Sequence, residues 1–199
     1  LSNGILVVSD EIHSDLILSG HKHMPFATLS ADFAKGSITC TAPSKTFNIA
    51  GLQVSNLIVP DEGIRKALSE RMEANGIEEP NIFGVVAAEA AYSHGEEWLG
   101  QLLSYLEVNA ELVGKFVSES MPGVAYRKPE GTYLAWLDFR GMGMDEGALK
   151  HLLVDKAGLA LNLGAMFGSS GSGFARLNFG CPRPLLTDYL SRLASACRG

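Results

Sequence analysis

Three cysteines, Cys40, Cys181 and Cys197, are all that 199 residues contain, and none has a partner at CxxC spacing. That number is too small and too odd for a disulfide framework, and the spacing excludes the usual structural zinc sites. A reducing, cytoplasmic setting is the expectation. Positive charge is scarce as well: 16 Lys and Arg against 22 Asp and Glu leave a net charge of -6. The basic residues are scattered, so no nucleic-acid face is expected. No apolar run approaches the roughly 20 residues that span a bilayer, so no membrane partner is expected. The opening LSNGILVVSD has neither a basic start nor a small-residue cleavage site and does not read as a secretory signal. It also lacks an initiator Met and reads as the start of an internal fragment. His21, His23 and His94 stand in loop-like sequence without an HExxH pair, so no metal is expected.

What remains is ordinary globular composition, 46% hydrophobic and 19% charged, with enough length for a sizeable core. Ile5–Val8 is an apolar run without alternation, the pattern of a strand covered on both faces, as in parallel sheets. Residues 37–41 and 55–59 are further strand candidates, and Pro60-Asp61 opens a helix that Gly76 ends. A longer helix is expected from Glu96 to about Glu119. Its Trp98, Leu102, Tyr105, Leu106, Val113, Phe116 and Val117 recur at helical steps, and Pro122-Gly123 stops it. Strands are expected at 133–139, 159–163 and 174–179, with helices at 146–156 and 184–197. The class is α/β, with a parallel or mixed sheet in the first part. The GSSGSG run at 168–173 precedes a strand instead of opening a helix, so it reads as a flexible surface loop and not as a phosphate cradle.

Two residues sit where such folds do chemistry. Ligands of open α/β sheets gather beyond the carboxyl ends of the strands. Asp10 ends the first strand, with His13 three residues on, and Lys45 follows the second strand. A desolvated lysine can form a Schiff base with a carbonyl. An aspartate facing a pyridinium nitrogen keeps it protonated, so that the ring accepts electrons. Together they are the minimum set for pyridoxal phosphate (PLP) chemistry.

The stretches SDEIHSDLILSGHKHMPFATLS, TAPSKTFNIAGLQVSN and GFARLNFGCPR resemble the class I/II aminotransferase family, the fold type I PLP enzymes. Within it, APSKTFNIAGLQ and SDEIHSDL look most like the cystathionine β-lyase (C–S lyase) branch, the MalY/PatB and cystalysin type. The resemblance implies that Lys45 holds PLP and moves the substrate Cα proton. It implies that Asp10 faces the pyridine nitrogen, His13 the phenolic oxygen, Ser44 the phosphate, and that Arg176 grips the substrate carboxylate. Ala42 and Gln53 depart from the phosphate-binding residues of many aminotransferases, and the glutamine favours a lyase. The resemblance further implies a C-terminal part of the PLP-dependent transferase fold. Residues 1–106 would complete a large cofactor-binding domain, and residues 107–199 would form a small α+β domain. The phosphate loop, the ring-stacking aromatic and an Asn of the family lie outside this sequence, so the 199 residues alone are expected to bind PLP weakly or not at all. The implied activity is cleavage of L-cystathionine or related cysteine S-conjugates to a thiol, pyruvate and ammonia by a homodimer. Transamination of an L-amino acid is the alternative. A catalytically incomplete fragment or regulatory binding module is the third reading.

Overall fold

The computed structural model describes residues 3–77 and 79–199. They divide into two compact units, Leu1–Leu102 and Leu103–Gly199. Among the described residues no helix is long and apolar enough to cross a membrane.

The first unit holds a mixed three-stranded sheet in the order β1-β2-β3. Strand β1 (Val7–Asp10) runs parallel to β2 (Ser37–Thr41), with Val8 opposite Ile38 and Asp10 opposite Cys40. Strand β3 (Asn56–Ile58) is antiparallel to β2. The crossover between β1 and β2 carries the short helix α1 (Ala31–Lys35), opened by Ser30, whose hydroxyl accepts a hydrogen bond from the Phe33 N–H. Helix α2 (Pro43–Thr46) is a single turn directly after β2, with Pro43 at its first position, where a missing N–H costs nothing. Helices α3 (Glu62–Ala74) and α4 (Ile82–His94) follow, capped by the Asp61 and Asn81 side chains. One expectation fails here. Val8 is not covered on both faces but 62% exposed, because the described residues of this unit put no layer over that side of β1.

Helix α5 (Glu96–Ser120) is the long helix expected from the apolar periodicity. The second unit is built on an antiparallel sheet in the order β4-β5-β7-β6. Its strands are β4 (Ala125–Tyr126), β5 (Leu134–Asp138), β6 (Asn162–Leu163) and β7 (Phe174–Asn178). Alternation sorts the faces: Ala135, Leu137, Ala175 and Leu177 are buried, whereas Trp136 and Arg176 point the other way. The core also takes Leu106, Ala110 and Val113 of α5 and Leu186, Leu190 and Leu193 of α7 (Arg183–Arg198). Each fully buried leucine contributes about 2 kcal/mol of transfer free energy. Helix α6 (Glu146–His151) continues as a π-helical turn over Leu152–Lys156. The GSSGSG run lies on the surface as expected, with Gly168, Ser169, Ser170 and Ser172 exposed, but it is tied down at one point. Gly171 is buried, and a side chain there would strike the Gly164 carbonyl, so the backbones meet where only glycine fits.

A polar staple crosses this core. Asn109 of α5 is fully buried. Its Nδ2 donates to the carbonyls of Phe179 at 2.9 Å and Cys181 at 3.0 Å, and its Oδ1 accepts from Arg183 Nε at 3.1 Å. The Arg183 guanidinium lies over the Tyr105 ring, and the Tyr105 hydroxyl accepts from the Arg183 N–H. The turn after β7 is thereby fastened to α5. Asn109→Ala leaves buried carbonyls without donors and is expected to cost about 2 kcal/mol in urea unfolding. A loss below about 0.5 kcal/mol, the range of an ordinary surface change, would contradict this role.

Candidate active site

The parallel register of β1 and β2 brings two sequence-predicted groups to one sheet edge. Asp10 ends β1 beside Cys40 of β2, and the Glu11 N–H continues the ladder to the Cys40 carbonyl at 2.9 Å. Burial pushes the Cys40 thiol up, and the charge of Asp10 adds to that push. Asp10 is exposed, and its Oδ1 accepts the Ile12 N–H at 3.2 Å, a short turn that holds the carboxylate at the strand end. His13 follows half-buried, its carbonyl accepting the Leu16 N–H.

Ser44 and Lys45 ride on α2, both half-buried. The turn is closed by Phe47 N–H to Pro43 and Ile49 N–H to Ser44, at 2.9 and 3.1 Å. Next to Lys45, the fully buried Thr46 donates its hydroxyl to Asp15 Oδ2 at 2.9 Å. Phe47 packs edge-on against Tyr92 and tilted against Trp98, with centroids 5.6 and 5.9 Å apart. Ala42 is buried, while Gln53 is exposed and left-handed, with φ +51°.

Arg176 stands in the second unit, on β7 between Trp136 of β5 and Asn162 of β6. Its Nη2 donates to Asn162 Oδ1 at 3.1 Å, and its guanidinium lies 4.7 Å from the centre of the Phe167 ring. It lines an open pocket of about 330 Å³ with Asn162, Asn178, Tyr189 and Arg192. Thr132 takes φ +66°, a conformation that a β-branched residue rarely adopts, as the chain turns into β5. Tyr133 follows it; burial pushes its phenol up, and the positive charge of Arg176 opposes that push.

Sequence reasoning missed the supports. Glu11 is only 7% exposed. Its carboxylate accepts from Ser9 Oγ at 3.0 Å, the Phe26 N–H at 2.9 Å and His23 Nε2 at 2.8 Å. His23 is therefore a structural partner and not a solvated loop residue. Burial pushes the Glu11 carboxyl up, but the bonds from His23, Phe26 and Ser9 outweigh it and hold the group below its ordinary value. A charged residue directly after an apolar strand was the one available signal.

The chain matches the family model described as aminotransferase class I and II over residues 1–193. It is 48% identical over 196 residues to cystathionine β-lyase PatB of Bacillus subtilis, covering 98% of this chain and 51% of that protein. It is 34% identical over 198 residues to the protein MalY of Escherichia coli, covering 98% and 50%. The crystal structure of cystalysin from Treponema denticola, which contains a pyridoxal 5'-phosphate cofactor, superposes with a TM-score of 0.93. The identity is 35%, and the match covers 97% of this chain and 49% of that one. The chain spans about half the length of the curated relatives it matches.

The lowered Glu11 carboxyl carries a pH signature. Its stabilisation is complete above the ordinary glutamate value and is lost as pH falls through the lowered folded value. Glu11→Gln is expected to unfold at lower urea than the parent at pH 7. The gap should close as acid protonates the parent carboxyl. A gap of constant size from neutral to strongly acid pH would contradict the assignment.

Proposed function

The chain belongs to the class I and II aminotransferase family, and on that footing we propose that it is the lysine-bearing part of a PLP-dependent C–S β-lyase. The observation that carries this reading is the placement of Asp10 at the carboxyl end of β1 and of the Lys45 turn just beyond that of the adjacent parallel β2. The cofactor needs an amine for its aldehyde and an anion for its ring nitrogen, and those two groups are present at one edge. PLP, when bound, supplies an electron-accepting ring conjugated to the substrate Cα.

The chain's own residues would do the rest. Lys45 Nζ would hold the aldehyde and move the Cα proton. Asp10 keeps the ring nitrogen protonated. His13 would meet the phenolic oxygen, and Ser44 would offer a hydroxyl to the phosphate. Arg176 takes the substrate α-carboxylate in a two-pronged grip, with Asn162 and Phe167 holding its plane. Cleavage of L-cystathionine with water yields homocysteine, pyruvate and ammonia. The name of the 48% relative supports lyase over transaminase, and so does Gln53. The first unit would belong to a large cofactor-binding domain and the second would be a small domain. A homodimer in the cytoplasm completes the proposal, supported by family resemblance and by three unpaired cysteines.

The full-length protein is expected to release pyruvate from L-cystathionine with no added 2-oxo acid. A requirement for a 2-oxo acid would instead mark an aminotransferase. Lys45→Ala is expected to lower turnover by at least about 10³-fold. Arg176→Lys, which loses the fork geometry, should lower kcat/KM about 10- to 100-fold, mainly through KM.

A further inference from the structure

We propose that Asp15 is a positioning residue for Lys45, acting through the hydroxyl of Thr46. The inference rests on Lys45 being the cofactor-binding amine. Helix α2 has four residues, far too few to hold its shape alone, so the direction of Lys45 depends on what fastens its turn. Two fasteners are present. On one side Phe47 packs against Tyr92 and Trp98, and a Cβ on Gly95 would come within 2.5 Å of Phe47 Cε1. On the other, Thr46 Oγ1 donates to Asp15 Oδ2 at 2.9 Å across 31 residues of chain.

That second bond is not the default for a helical hydroxyl. In α7 of the same chain, Thr187 donates to the carbonyl of Arg183, and Ser191 and Ser195 repeat the pattern one turn back. Thr46 reaches instead for a carboxylate on another segment, and a bond to a charged acceptor is the stronger kind. Asp15 itself is well placed to bear load. Its neighbour Leu16 is fully buried and Leu18 nearly so. The N–H groups of Ser14 and Leu16 donate to the carbonyls of Glu11 and His13. The segment anchored in this way is the one that carries Asp10 and His13. The clamp therefore ties the lysine turn directly to the segment bearing the ring-nitrogen carboxylate, and it sets the spacing that both ends of one planar cofactor require.

The test uses the full-length protein and its Asp15→Ala, Asp15→Asn, Thr46→Val and Asp15→Ala/Thr46→Val variants. The first readout, taken on protein freed of PLP so that the Lys45 amine is uncondensed, is the rate of acylation of Lys45 by an amine-selective reagent, relative to exposed Lys66 in the same molecule. Asp15→Ala and Thr46→Val should each raise that ratio roughly threefold or more, the worth of one hydrogen bond. The double variant should rise no further than either single change. Asp15→Asn, which keeps an acceptor, should stay within about twofold of the parent. The second readout is the PLP concentration giving half of the visible absorbance change, which should rise in the same order. An unchanged ratio in Asp15→Ala, or single effects that multiply in the double variant, would overturn the clamp. The acylation arm is run without PLP and decides the clamp by itself, so a parent protein that takes up no PLP overturns the cofactor reading alone.

Discussion

The parallel pairing of β1 with β2 is the constraint on which the rest of the first unit depends. It places Asp10 opposite Cys40 and lets both strands end on one edge. A slip of one residue would turn the side chain of Asp10 to the other face of the sheet. The register is held beyond the strand end by Glu11, whose N–H continues the ladder while its carboxylate gathers Ser9, His23 and Phe26. Polar groups buried in this way are stable only when fully bonded, and Glu11 meets that condition with three donors. The long crossover from β1 to β2 is thus organised around one buried anion next to the exposed carboxylate of Asp10.

The second unit solves a different problem. Arg176, the proposed carboxylate grip, is presented on a face of a strand that is firmly packed. Ala175 and Leu177 on either side of it are buried, Trp136 and Asn162 flank it across the sheet, and Phe167 lies under its guanidinium. Asn109 then fastens the turn at the far end of β7. A guanidinium held by a ring and an amide loses little freedom on meeting a carboxylate, which is the requirement for an orienting grip.

How much of this was legible in the sequence follows from the range of each interaction. Lys45, Asp10 and Arg176 stand out as candidates because local signals mark them: strand ends, a proline turn and a motif with specific flanks. Helix α5 was readable because its apolar period runs for many turns, and so was the mixed sheet of the first unit. Asn109 was invisible, since a polar residue on an amphipathic helix reads as solvent-facing until its partners some 70 residues away are known. Asp15 and Thr46 were missed for the same reason, being joined across 31 residues. Val8 misled because an apolar run states only that a side chain is apolar, and covering it takes another element. The anchor of the glycine-serine run was invisible because composition does not reveal that Gly164 and Gly171 meet backbone to backbone.

The central claim is that Lys45 is the amine that takes PLP. Its most direct measurement is borohydride reduction of the PLP-treated full-length protein, followed by peptide mass mapping of the labelled site. One stoichiometric pyridoxyl group is expected on the peptide containing Lys45, absent from Lys45→Ala. Label on a different lysine, or none on the Lys45 peptide, would contradict it.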